Sequence, residues 1–227
     1  MNNVNAVASR SEQSILQTNK VIRNTYLLLS MTLIVSAIAA SISVAMNITS
    51  PIVYFGSFIG GFVMLYIINK NQNSVMALPL TFLFTALLGF GIGPILNSYL
   101  AMSNGGEIVM TSMGMTALTF VGLSAYVLTS KKDFSFMGGF LAAGMVVVLI
   151  TMVALFVLPM FGINIAGLHL AYSAAVVLLM AGFILYDTSN IVNGHYQNYV
   201  MATVGLYLNI FNMFIHMLTL VGFLSDD

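Results

Sequence analysis

Seven long apolar runs, separated by short polar breaks, fill nearly the whole chain after residue 25. They cover residues 26–46, 52–68, 75–99, 107–129, 136–161, 165–191 and 202–223. A helix needs roughly 20 apolar residues to cross the hydrocarbon layer of a bilayer. Inside that layer a helix bonds all of its own backbone, which an open strand cannot do. Strands of a membrane barrel would be about 10 residues long and would alternate in polarity, whereas these runs are longer and continuously apolar. The breaks at 47–51, 69–73, 103–106, 130–133, 162–164 and 193–195 collect Asn, Gly, Ser and Pro, the residues that stop helices and make turns. The expected fold is therefore all-α: a polytopic bundle of seven transmembrane helices, with no internal repeat.

Charge excludes the alternatives. Only 5% of the residues are charged and 59% are hydrophobic, against about 25% charged in a soluble domain. So few charges cannot clothe a water-soluble surface of this size, and lipid is the solvent that fits. The zero net charge gives no sign of nucleic acid. Without cysteine there is neither a disulfide nor a thiolate metal site. Trp is also absent, so the ten tyrosines must supply any aromatic belt.

Residues 1–23 are polar and lack the apolar core of a signal peptide. They read as a cytoplasmic tail before an uncleaved first helix, with 24–227 forming the transmembrane domain. Arg10, Lys20, Arg23, Lys70, Lys131 and Lys132 all fall on one side of a seven-span arrangement, and Glu107, Asp226 and Asp227 fall on the other. The positive-inside rule makes the basic side cytoplasmic, with the N-terminus in and the C-terminus out.

Gly56 and Gly60 in the second run, and Gly89 and Gly93 in the third, have the GxxxG spacing that lets helix backbones approach closely. The stretch GFGIGP at 89–94 follows no strand and lies inside an apolar run, so it is not a nucleotide loop. Pro94 is expected to interrupt its helix, and Pro79 and Pro159 to do so to a lesser degree. Glu107 suits the N-terminus of the fourth helix as a cap.

The last run carries a polar stripe. Gly205, Asn209, Asn212, His216 and Thr219 recur every three or four residues and share one helical face. Such a face either hydrogen-bonds to neighbouring helices or lines a wet, functional path. Asp187 is the only acid well inside an apolar run. It lies toward the C-terminal end of the sixth helix, where the helix dipole disfavours an anion. That marks it as a candidate proton- or cation-sensing carboxyl, with Asn190 one turn further on. The alternative is an interfacial acid that reaches the headgroups. His169, His195 and His216 are too scattered to form a metal site. No catalytic constellation can be assembled, so no enzyme is expected, and no cofactor either.

Several stretches resemble one family: KVIRNTY at 20–26, GFGIGPILNSYL at 89–100, SAYVLTSKKDFSFMGGF at 124–140 and ILYDTSNIVNGHYQNYVMATVGLYLNIFNMF at 184–214. They are similar to the Bax inhibitor (TMBIM) membrane proteins, and within them to the bacterial YccA group. The likeness runs through nearly the whole chain, and the last stretch is the most specific. It implies a seven-helix fold with an unusually polar last helix. Channel-like members are pH-sensitive calcium leak pathways that use two aspartates, one on each of the last two helices. Asp187 matches the first of these, but the second position here is Asn209, and the second run lacks the arginine that partners the acids. An Asp–Asn pair cannot share a proton as two carboxyls do, which counts against pH-gated calcium passage. Members of the YccA group are linked instead to FtsH, a membrane-anchored ATP-dependent protease, as substrate and modulator. The resemblance thus implies a bacterial inner-membrane protein whose partners are the bilayer and an FtsH-type protease. A calcium or other cation leak stands as the alternative, and a packed bundle with neither activity as the third reading.

Overall fold

The computed structural model describes residues 2–225, and for residues 2–15 and Ala166 it describes the backbone alone. Asp226 and Asp227, assigned above to the acidic side, lie outside the described residues. The elements are α1 (Asn2–Ala45), α2 (Pro51–Lys70), α3 (Ala77–Gly91), α4 (Gly93–Leu100), α5 (Gly105–Ser130), α6 (Gly138–Val157), α7 (Ala166–Val192) and α8 (Tyr199–Leu224). Single 3₁₀ turns at Ser135–Met137 and Leu158–Phe161 flank α6. No strand occurs among the described residues.

Seven segments are long and apolar enough to cross a membrane, with α3 and α4 together making one of them. Each span found in the structure corresponds to one of the seven runs. The polar segment at 1–23 is, from Asn2 onward, the first part of α1, which runs as one helix of 44 residues into the first span.

The central helix is α8, which packs against α1, α3, α5 and α7. Outside this group, α2 leans on α3 and α6 leans on α7. The polar positions of the last run are what draw α8 inward. Lipid is as apolar as Leu, so hydrophobicity alone does not sort helices in a bilayer. Hydrogen bonds between helices do, and α2 and α6, which lack the polar stripe that α8 carries, stay at the edge. On α6 the large side chains Val147, Ile150 and Phe156 face outward into lipid.

Close packing of α1 with α3 depends on glycine. A Cβ on Gly89 would strike the Ser36 backbone carbonyl, and one on Gly93 would strike the Ser43 hydroxyl. Both face α1, as the spacing predicts. The other GxxxG pair behaves differently. Gly56 faces open space, while Gly60 and its neighbour Gly61 meet Leu87 and Leu88 of α3. The close approach of α2 is therefore made by Ser57, Gly60 and Gly61, with Gly91 of α3 against Ser57, and Gly60 alone of the expected pair takes part.

The prolines differ in effect. At Ile92, just before Pro94, the third span breaks into α3 and α4. Pro79 falls in the first turn of α3, where amide hydrogens have no partner within the helix, so it interrupts nothing. Pro159 lies in the 3₁₀ turn that ends the fifth span. The N-cap position of α5 is Asn104, and Glu107 sits in the first turn behind it. The Asn104 side chain donates instead to the Ser225 carbonyl, tying α5 to the end of α8.

Candidate functional site: a polar knot around Asp187

Asp187 lies five residues before the end of α7, about 7 Å along the axis. This is the end of the bundle that carries Arg23, Lys70, Lys131 and Lys132, called here the basic end. The carboxylate is only 6% exposed. Asn209 of α8 donates its Nδ2 to Asp187 Oδ2 at 2.6 Å. The hydroxyl of Tyr196, from the α7–α8 connection, donates to Oδ1 at 3.2 Å. Gly205 lies beneath, where a Cβ would come within 3.4 Å of Oδ2. Each carboxylate oxygen thus has its own donor, and Gly205 packs against the acid at ordinary contact distance. Tyr196 lies outside the spans. Burial, reinforced by the adjacent carboxylate, pushes its phenol well above the ordinary tyrosine range, so it stays a donor.

The three residues after Asp187 extend this into a knot. Thr188, Ser189 and Asn190 are all buried. The Thr188 hydroxyl is 3.3 Å from Ser124 Oγ of α5 and 3.5 Å from the Tyr26 hydroxyl of α1. Ser189 Oγ accepts from the Phe134 backbone at 2.8 Å and from Asn193 Nδ2 at 3.2 Å, which anchors the α5–α6 connection. Asn190 Oδ1 pairs with His195 Nδ1 at 3.1 Å. Four consecutive side chains on a helix point in four directions about 100° apart. Here each direction meets a different neighbour, so the end of α7 is enclosed on all sides. In the α5–α6 connection, Asp133 accepts from the Ser135 amide at 2.8 Å. That bond holds its carboxyl below the ordinary value.

Not every predicted site residue joins the knot. Asp187 and Asn209 meet, and Asn190 joins through His195, but Asn212 and His216 stand apart. Asn212, half-buried, donates to the Leu208 carbonyl of its own helix. His216 pairs through Nδ1 with Ser173 Oγ of α7 at 3.1 Å, with its ring edge-on to Tyr172. Thr219 receives the Tyr99 hydroxyl at 3.5 Å. The stripe on α8 is therefore a set of separate hydrogen bonds to α7, α4 and itself. Sequence reasoning missed Tyr196, Thr188 and Ser189. The run Asp-Thr-Ser-Asn at 187–190, which leaves no face of the helix apolar, was the available signal.

The profile of the family described as "Inhibitor of apoptosis-promoting Bax1" matches residues 18–226. The chain belongs to the Bax inhibitor family. Among its relatives, the Escherichia coli (strain K12) protein named "Modulator of FtsH protease YccA" is 44% identical over 220 residues, covering 97% of each chain. An uncharacterized membrane protein of Vibrio cholerae is 44% identical over 229 residues, covering all of both chains. A Pseudomonas aeruginosa protein is 44% identical over 98% of this chain and 95% of its own. This Bax inhibitor family member is thus an integral membrane protein with matches along its full length.

Proposed function

We propose that this protein is a modulator of an FtsH-type membrane protease, set in the inner membrane with its basic end in the cytoplasm. One observation carries the reading: 44% identity, covering 97% of both chains, to the E. coli protein named for that role. The same protein in another E. coli strain is named an inner membrane protein. The basic end supports the orientation through the positive-inside rule. Nothing among the described residues favours the calcium-leak alternative, because the one acid of the core is taken up by Asn209 and Tyr196.

The segment at 2–15 would offer the protease a handle, since it precedes the first span on the cytoplasmic side in this orientation. Two measurements in FtsH-containing bacteria test this. Detergent-solubilised membranes should yield the protease with the tagged full-length protein, and deletion of residues 2–15 should lengthen the protein's half-life several-fold. Absence of the protease from the purified material sinks the modulator reading. Unchanged turnover of the deletion, with the protease still bound, sinks only the role of the handle.

A further inference from the structure

Between α1 and α5 a groove opens sideways into the lipid, with α8 as its floor and α4 at its far end. Its volume is about 800 Å³. At its basic-end limit α1 and α5 come together, with the Tyr26 and Phe120 rings 6.2 Å apart. Phe120 itself lines the groove, which extends from there past Tyr207 and Phe214 of α8 to Leu100. It is thus closed near mid-bundle and continues into the half of the membrane away from the basic end.

The walls ask for hydrocarbon. Four lining residues carry a hydroxyl, and each is satisfied within the protein. Ser36 Oγ and the Tyr207 hydroxyl pair at 2.8 Å, Ser41 donates to the Ala37 carbonyl, and Thr116 donates to the Ser112 carbonyl. The remaining lining residues are Ala, Val, Leu, Ile, Met and Phe. No lining residue carries a charge.

Size selects the occupant. The lining positions on α1 run from Leu33 to Ala45, which is about 18 Å at 1.5 Å per residue. That is close to half of a ~30 Å hydrocarbon core, the depth of one leaflet. Spread over that length, 800 Å³ gives a mean cross-section of about 44 Å², a channel roughly 7 Å wide. A helix with its side chains needs about 10–12 Å, so a partner's transmembrane helix could not sink into the groove to its full depth. Extended alkyl chains, touching their neighbours at about 4 Å and so filling roughly 16–20 Å² each, fit two abreast.

We propose that this groove is a binding site for the two acyl chains of a membrane phospholipid, entering from the leaflet away from the basic end, with their tips toward Tyr26 and Phe120. The bound chains complete the packing of α8, whose half-buried Phe211 and Phe214 would otherwise face a partly filled cleft.

The chain contains no Trp, so a single introduced Trp reports its own surroundings. Phe214→Trp places the reporter in the groove, and Phe156→Trp places one on the 68%-exposed outer face of α6. Each protein is reconstituted with phospholipid brominated along its acyl chains, which quenches Trp on contact, and is then diluted into unbrominated lipid. Quenching at residue 156 should vanish on mixing. At residue 214 it should persist and decay at least tenfold more slowly. Ala40→Phe, or Ala117→Phe should the first not fold, should abolish the slow phase. Three outcomes overturn the proposal: equal recovery rates at the two positions, no quenching at residue 214, or a slow phase that survives in the filled variant.

Discussion

Asp187 of α7 and Asn209 of α8 are joined by a 2.6 Å hydrogen bond from carboxamide to carboxylate. The two helices are held there by an acid and an amide, where a second ionised acid would bring repulsion. Asn209→Leu leaves one carboxylate oxygen buried without a donor and should cost about 2 kcal/mol. Asn209→Asp sets two carboxyl groups against each other, and they cannot both be ionised at that separation. That variant should unfold at a lower temperature than the wild type at pH 8 and recover much of the difference at pH 5. Thermal unfolding in detergent at the two pH values checks both. An Asn209→Asp protein as stable as the wild type at pH 8 would mean that the helices do not meet as described.

Tyr196 supplies the other donor to Asp187, from a loop and partly exposed. Tyr196→Phe should cost about 1–2 kcal/mol at neutral pH. The native phenol is raised above its ordinary value. Its contribution is therefore complete below about pH 10, the unfolded value, and is lost as pH climbs toward the folded one. The wild type should lose stability steadily above pH 10, and the Phe variant should lose less over the same range. Chemical denaturation followed by circular dichroism between pH 8 and 11 measures both slopes, and parallel slopes would contradict the bond.

Lipid makes the architecture of this chain legible from its sequence. A span must be long, apolar and helical, so the seven runs correspond to seven crossings with ends within three residues of those observed, except that the first span begins ten residues earlier than expected, at Leu16. Polar groups in lipid seek one another, but the sequence leaves open whether Asp187 meets Asn209 or another polar position of α8. The rest of the knot is hidden. Tyr196 arrives from a turn that Gly194 makes with φ +75°, and the direction of a loop tyrosine is not written in helical periodicity. Thr188 and Ser189 do not stand out because hydroxyls on helices commonly bond their own i−4 carbonyls, as Thr81 and Ser112 do here. The side of α2 that meets α3 is Ser57, Gly60 and Gly61 rather than Gly56 and Gly60, because Gly56, Gly60 and Gly61 look alike in sequence. Only the neighbours distinguish them.

Glycines of equal appearance should respond oppositely to substitution. Gly89→Val drives a side chain into the Ser36 backbone, which belongs to a helix and cannot move alone. It should cost about 3 kcal/mol through overpacking and loosen α1 from α3. A Cβ added at Gly114 or Gly122 of α5 would meet nothing within 4 Å. Ala at either should leave stability unchanged or raise it by up to about 1 kcal/mol, from helix propensity. Unfolding midpoints of the three variants test the contrast, which fails if Gly89→Val matches the wild type.

Asn198 joins the start of α8 to a distant loop. Its Oδ1 accepts from the Val200 and Met201 amides at 2.9 and 3.3 Å, capping the helix. Its Nδ2 donates to the Gln72 carbonyl at 2.7 Å and to Asn73 Oδ1 at 2.9 Å, fastening the α2–α3 connection. Asn198→Asp keeps an acceptor for the cap but removes the donor, whereas Asn198→Ala removes both. The Asp variant should therefore free the loop while preserving most of the cap, worth about 1 kcal/mol. Amide exchange separates the two functions. Exchange at residues 71–76 should quicken in both variants, and exchange in the first turn of α8 should quicken only in Asn198→Ala. If the loop keeps its protection in both, it is held by contacts other than Asn198, and the link between the second and last spans at the basic end is lost.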